Sequence, residues 1–147
     1  MYSCTDGMYY SYDSALEIAF LVDGTFSSYE WGVIRRFMSA FSDQFYVSST
    51  FTRFAVIQFS RSTSTTFSFS QYSTNAQLRT AYVNLRQQQV GRERNLNAAL
   101  RYSYDNVFRS QRRNYASMVR TAHNIIIIII IILLIKLRTS QILYAHS

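Results

Sequence analysis

Residues 18–27 read IAFLVDGTFS, a run of five apolar residues that leads into an acid, a glycine and two hydroxyl residues. A short continuous apolar run is typical of a β-strand buried on both faces, as in a parallel sheet. Asp23 would end this strand at the edge where open α/β sheets bind ligands. Asp23, Thr25 and Ser27 offer one carboxylate and two hydroxyls, which are hard oxygen ligands suited to Mg²⁺ or Mn²⁺. The pattern predicts a metal site; the alternative is that these side chains only cap a turn and the next helix.

Apolar periodicity predicts alternating helices and strands after this stretch. Ser27 and Glu30 form a capping box, and the helix behind them, as far as residue 45, carries an apolar stripe in which Phe37 and Phe41 are predicted to be buried. Three apolar runs separated by helical patterns predict an α/β sheet whose central parallel strand is residues 18–22. The remaining predicted elements are a buried strand over 54–59, an antiparallel edge strand over 66–70, and helices over 74–85 and 95–108.

The composition fits one folded domain with a basic surface. The chain has 147 residues, 48% of them hydrophobic, and a net charge of +7 that comes almost entirely from arginine. Nine arginines lie between Arg79 and Arg120, some interleaved with tyrosines, a pattern that suits nucleic acid, anionic glycans or plain solvation. Because no nucleic-acid-binding motif accompanies them, we expect no nucleic-acid partner. Cys4 is the single cysteine, so no disulfide can form within the chain.

The candidate metal motif resembles the metal-ion-dependent adhesion motif of von Willebrand factor A domains, which is usually Asp-x-Ser-x-Ser after a buried first strand. Residues 30–45, 53–60, 66–69 and 95–100 also look like that family, in the family's order. The group that they are most similar to is the collagen VI and matrilin group. The resemblance implies an open, doubly wound, mostly parallel sheet with an antiparallel edge strand, here incomplete because the family's last two strands have no sequence left to form them.

The resemblance also gives a meaning to residues 125–132, which are eight consecutive isoleucines followed by Leu133, Leu134 and Ile135. The family has its buried fourth strand at this place. Eleven helical residues would rise about 16 Å, too little for a membrane core of about 30 Å, so we expect no membrane span. A codon repeat or a misread gene end would give the same run. The domains expected are a flank over 1–16, a partial von Willebrand factor A domain over 17–135 and a basic, polar tail over 136–147.

The resemblance implies that the metal site is only partly built. The family's further ligands are a threonine before the third helix and an aspartate after the fourth strand. The threonine position falls near Arg94, whose charge would repel a cation, and no acid follows Asp105. We therefore expect Mg²⁺ or Mn²⁺ binding by Asp23, Thr25 and Ser27 to be weak or absent.

The function that the resemblance implies is that of an extracellular adhesion or matrix-assembly module. Its partner would be a matrix or cell-surface protein, with anionic glycans as a further ligand. The alternative is a metal-independent structural module or a non-functional fragment of a longer matrix protein. No signal peptide is visible, so the extracellular location follows from the resemblance alone.

Enzymatic activity is not expected. Residues 21–25 are similar to the first motif of haloacid-dehalogenase-type phosphatases, Asp-x-Asp-Gly-Thr. The nucleophilic aspartate of that motif falls on Leu21, and leucine cannot attack phosphorus. No other nucleophile and base stand at plausible positions.

Overall fold

The computed structural model describes residues 16–88, residues 92–109 and the backbone of residues 125–131. Along the chain the elements are β1 (Leu16–Asp23), α1 (Ser28–Ser42), β2 (Arg53–Phe59), β3 (Thr63–Phe67), α2 (Asn75–Val83), α3 (Leu96–Tyr102), a π-helical segment (Ser103–Phe108) and β4 (Ile125–Ile131). Residues 1–15 of the predicted flank, with Cys4, lie outside the described residues, as do the predicted tail and the arginines from Arg112 onward. Leu16, the last residue of that flank, is the first residue of β1.

The four strands form one sheet in the order β3-β2-β1-β4. β1 is parallel to both β2 and β4, whereas β3 is antiparallel to β2. The prediction that residues 18–22 form the central parallel strand, between residues 54–59 and the isoleucine run, is therefore confirmed. So is the prediction of a mostly parallel α/β sheet with an antiparallel edge strand.

The two faces of β1 belong to two separate core clusters. Ile18, Phe20 and Val22 pack on the face that α1 and α2 cover, while Ala19 and Leu21 pack on the face that α3 covers. Alternation along the strand explains this division, because successive side chains point to opposite faces of a sheet. All five residues are fully buried, as expected for the central strand of a doubly wound sheet.

α1 begins with the predicted capping box. The Ser27 hydroxyl accepts from the Glu30 backbone N–H, and the Glu30 carboxylate accepts from the Ser27 backbone N–H at 2.8 Å. The helix buries four side chains: Trp31, Ile34, Met38 and Ser42.

The prediction that Phe37 is buried is wrong, since 39% of this residue is exposed, and Phe41 is only partly buried. Adjacent residues of an α-helix lie about 100° apart around its axis. Because Met38 faces the core, its neighbour Phe37 lies at the margin of the buried face of the helix. Phe37 still meets the core edge-on, with its ring centroid 6.4 Å from that of Phe20.

The predicted edge strand over 66–70 is also misplaced, because β3 begins at Thr63 and ends at Phe67. The alternation of Phe67 and Phe69 predicts one strand face for both rings. Instead Phe67 packs in the cluster of α1 and α2, and Phe69 packs in the other cluster, 5.2 Å from the ring of Phe108. The two rings therefore cover opposite faces of the sheet, which requires the strand to end between them.

The predicted helix over 95–108 is present, but it is α-helical only as far as Tyr102 and π-helical from Ser103 to Phe108. The buried Ser103 hydroxyl donates to the carbonyl oxygen of Ala99 at 2.8 Å. A side-chain donor inside the backbone ladder competes with the regular hydrogen bonds and bends or widens a helix.

Within the described residues, no helix is both long enough and apolar enough to cross a membrane.

Candidate functional site

The candidate site lies where β1 ends. Asp23 is the last residue of β1 and is fully buried, and Gly24 and Thr25 form the turn that follows. The backbone N–H of Gly24 donates to the carbonyl of Phe59, the last residue of β2, at 2.7 Å. The turn is thereby fixed to the carboxyl ends of both central strands, the edge of an open α/β sheet at which ligands bind.

Both oxygens of the Asp23 carboxylate are engaged inside the protein. Oδ1 accepts a hydrogen bond from the backbone N–H of Thr25 at 2.9 Å. Oδ2 lies 2.6 Å from Nε of Arg94, and the same Nε–H donates to Oγ1 of Thr25 at 3.0 Å. The N–H points toward the threonine oxygen, and Oδ2 itself accepts no well-aligned hydrogen bond. The contact between Arg94 and Asp23 is thus primarily an attraction between opposite charges.

Ser27, the third candidate ligand, has a structural role in the described contacts. It is exposed, and its hydroxyl accepts the Glu30 backbone N–H at 3.3 Å as the N-cap of α1. The structure thus brings Asp23 and Thr25 together through Arg94 and places Ser27 at the helix start. Metal binding by the three residues stays a prediction.

Two glutamines that the sequence analysis did not single out hold the loops around the site. The side-chain amide of Gln87 donates to the carbonyls of Gly24 and Phe26, the second at 2.8 Å. Gln58, fully buried in β2, donates to the carbonyl of Arg86 at 2.9 Å and accepts the backbone N–H of Gln88 at 2.9 Å. Gln58 could have been noticed as the polar residue inside an otherwise apolar strand, because a buried amide needs hydrogen-bond partners. The sequence gives no comparable signal for Gln87.

Arg94 is held beside the site by its neighbour in the chain. Asn95 is the N-cap of α3, and its side-chain oxygen accepts the backbone N–H of Ala98 at 3.1 Å. The backbone N–H of Asn95 donates to the carbonyl of Ser60, just after β2, at 2.9 Å. The start of α3 is therefore fixed to the same edge of the sheet as Asp23.

The family model described as von Willebrand factor type A domain matches residues 17–132, well over half of the chain. The sheet order and the position of the polar cluster agree with that match. The chain belongs to the von Willebrand factor type A domain family.

Among solved structures, the chain is similar to proximal thread matrix protein 1 from the mussel byssus. One structure of that protein is 22% identical over 65% of this chain and 26% of its own, with a TM-score of 0.59. A second, determined with a zinc-occupied MIDAS motif, is 18% identical over 80% of this chain and 29% of its own, with a TM-score of 0.63. This chain thus spans roughly a quarter to a third of those chains, and at these identities the likeness shows the fold. No curated protein sequence matches.

Domains of this family often hold a divalent metal ion at this edge of the sheet, and the side chains around Asp23 decide whether such an ion fits. In the part of the chain that the structure describes, no three histidine, cysteine or acidic side chains come together as a metal-binding group. The Asp23 carboxylate already has a guanidinium 2.6 Å away, and Thr25 accepts from the same group. Mg²⁺ requires near-octahedral oxygen ligands about 2.0–2.1 Å away. A divalent ion on Asp23 would stand against the Arg94 charge, so the described arrangement does not fit it.

Proposed function

We propose that this chain is an extracellular adhesion or matrix-assembly module that binds a protein partner at the edge formed by the carboxyl ends of β1 and β2. The observation that carries the proposal is the polar cluster of Asp23, Thr25 and Arg94 at that edge of a von Willebrand factor type A domain. Open α/β sheets bind their ligands at this edge because the loops that follow the strands can vary without disturbing the core.

The structural neighbours support the matrix role. They are structures of a thread matrix protein from the mussel byssus, one of them with zinc in its MIDAS motif. The proposal takes the extracellular location and the protein-binding role from this relation and from the family. The collagen VI and matrilin group is the branch of the family that we propose for this chain, with a matrix or cell-surface protein as its partner.

Catalysis, nucleic-acid binding and a tightly held Mg²⁺ or Mn²⁺ ion are not part of the proposal. We expect any cation binding by Asp23, Thr25 and Ser27 to be weak or absent, because Arg94 already compensates the charge of Asp23. The surface arginines are the proposed contacts for anionic glycans. A second candidate is a structural module that never uses a metal ion, and the ion pair between Arg94 and Asp23 favours it.

Two exposed tyrosines offer a matched pair of variants for testing the binding edge. Tyr29, 79% exposed, lies in the first turn of α1 next to the cluster, whereas Tyr46, 67% exposed, follows the far end of the same helix. Tyrosine is enriched among interface hot spots, the residues whose truncation to alanine costs about 2 kcal/mol or more. We expect Tyr29→Ala to weaken binding to immobilised collagen or fibronectin at least about tenfold, and Tyr46→Ala to leave it unchanged.

The measurement is biolayer interferometry of the chain on each matrix protein, with albumin as the reference surface. Loss of affinity in Tyr46→Ala with none in Tyr29→Ala would place the binding surface elsewhere. Absence of binding to collagen and to fibronectin would contradict the adhesion role. Repeating the series in EDTA tests whether a weakly held cation contributes to binding. Binding that falls in EDTA would show such a contribution, and binding that persists would favour the metal-independent candidate.

A further inference from the structure

The negative charge of Asp23 is buried and has to be compensated within the fold. Its side chain is fully buried at the end of the central strand. A buried carboxylate is expensive unless a positive charge or several donors compensate it. In the described part of the chain, the backbone N–H of Thr25 donates a hydrogen bond to Oδ1 of Asp23, and this bond does not reach Oδ2. The negative charge at Oδ2 therefore needs a cation.

Arg94 supplies that cation from within the chain. Its Nε is 2.6 Å from Asp23 Oδ2 and 3.0 Å from Thr25 Oγ1, so one group reaches two of the three oxygen ligands predicted for a metal ion. An arginine guanidinium stays charged at every pH that a protein tolerates. The connection of Asn95 to Ser60 and to α3 keeps the arginine backbone beside the site.

We propose that the Arg94 guanidinium takes the place of a divalent metal ion in this chain and that it excludes such an ion from Asp23. The two cations compete for the same carboxylate oxygen, and their charges repel each other at such short range. The cluster at this edge is consequently complete without metal. This inference goes beyond the proposed adhesion role and is independent of it, since its test measures cation binding and stability without any partner.

The decisive variant is Arg94→Thr, which removes the guanidinium and adds a hydroxyl oxygen. Asp23 is then left buried without a cation, and we expect the melting temperature in EDTA to fall by about 5 °C or more. We also expect Arg94→Thr to gain saturable binding of one Mn²⁺ per chain and to recover melting temperature as Mn²⁺ is added. The wild type should show neither saturable Mn²⁺ binding nor a difference in melting temperature between EDTA and Mn²⁺.

Two control variants separate this effect from a general loss of charge. Arg79 forms an ion pair with Asp43 through the same Nε atom at 2.9 Å, but on the exposed surface, with 56% and 38% of the two side chains accessible. Arg79→Thr should therefore behave like the wild type toward Mn²⁺. The double variant Asp23→Asn with Arg94→Thr removes the buried carboxylate charge together with the partly accessible guanidinium, and it should stay folded in EDTA and bind no Mn²⁺.

Electron paramagnetic resonance of free Mn²⁺ gives the number of bound ions, and circular dichroism gives the melting temperatures. Saturable binding of Mn²⁺ by the wild type, lost in Asp23→Asn, would overturn the proposal because Arg94 would not exclude the ion. An Arg94→Thr variant that melts like the wild type and ignores Mn²⁺ would overturn it as well.

A third measurement covers the case in which Arg94→Thr does not fold in EDTA. Refolding of that variant on addition of Mn²⁺ would support the replacement. Failure to refold with Mn²⁺, whether or not the double variant folds, would show that Arg94 does more than supply a positive charge, and the proposal would be wrong.

Discussion

At the scale of single residues, the surroundings of Asp23 differ from those that its sequence pattern indicates. The pattern of one acid and two hydroxyls predicts oxygen ligands around a metal ion. In the folded chain the acid and one hydroxyl share an arginine from the start of α3, and the other hydroxyl caps α1. A ligand pattern in one loop cannot show which distant side chain will reach into it, and Arg94 is separated from Thr25 by 69 positions.

Neighbouring residues on α1 allow a direct test of where the core ends. Met38 is fully buried and Phe37 is 39% exposed, although both are large and apolar. We expect Met38→Ala to lower the free energy of unfolding by about 2–5 kcal/mol, the usual range for a buried methionine. Phe37→Ala should cost less than Met38→Ala, because the Phe37 ring is already partly in contact with water. The ring contacts that it loses are an edge-on contact with Phe20 and a tilted contact with Phe41.

Urea denaturation of the two variants beside the wild type measures both values. A larger loss for Phe37→Ala than for Met38→Ala would show that the phenylalanine ring is a principal core residue after all. In that case the apolar stripe predicted from the sequence would describe the helix better than its burial pattern does.

The site was predictable from the sequence to the extent that its parts are local. Asp23 at a strand end and Ser27 with Glu30 at a helix start are features of a few adjacent residues, and both were predicted in the right places. Arg94 was located near the site through the family resemblance, as a charge that would repel a metal ion. Its attraction to the carboxylate itself becomes visible only with the geometry, because the distance and burial decide how strong the pair is.

At the scale of secondary-structure elements, the strands and helices with long apolar patterns were predicted more accurately than the short ones. β1 and β2 are buried apolar runs, and their pairing in the sheet could be predicted because strands and helices alternate along the chain. β3 has five residues, and its polar-apolar alternation continues past its end to Phe69, so the sequence misplaced it. The side on which Phe69 packs depends on Phe108, 39 positions later, which no local pattern contains.

The contact between α1 and α2 contains a buried tyrosine whose ionisation is linked to folding. The Tyr82 hydroxyl shares a 2.8 Å hydrogen bond with that of Ser42, and the tyrosine is 1% exposed. Burial raises the pKa of Tyr82 well above its ordinary value; the bond to Ser42 opposes this, and the charge of Asp43 adds to it. Between the ordinary pKa of about 10 and the raised one, the unfolded chain releases this proton and the folded chain keeps it.

The free energy of unfolding should therefore fall as the pH rises above about 10, with a contribution from Tyr82 of up to about 1.4 kcal/mol per pH unit. Tyr82→Phe removes this contribution while the other tyrosines remain in both proteins. We expect the stability advantage of the wild type over Tyr82→Phe to be constant from pH 7 to about 9 and to shrink by pH 11. Urea denaturation at these pH values gives the difference, and parallel pH profiles of the two proteins would contradict a buried neutral tyrosine.

At the scale of the whole molecule, the sheet and the charge have separate consequences. The order β3-β2-β1-β4 places β1 between two parallel strands, and helices cover both of its faces, so residues 18–23 of this strand are buried. Among the described residues, Arg61 and Arg109 lie on the surface, with side chains 85% and 72% accessible. Mutations in the centre should therefore act on stability, and mutations of these arginines on binding to charged partners.

The net charge of +7 predicts binding to heparin, a sulfated glycan, that is governed by ionic strength. Raising the salt from about 0.1 M to 1 M shortens the screening length from about 10 Å to about 3 Å, so exposed arginines lose most of their attraction for sulfate groups. We expect the chain to be retained on a heparin column at low salt and released as sodium chloride rises. Replacing the exposed Arg92 and Arg101 together by glutamine should shift elution to lower salt. Replacing the exposed but neutral Gln77 by alanine should leave it in place, and retention that does not respond to salt would rule out an electrostatic mechanism.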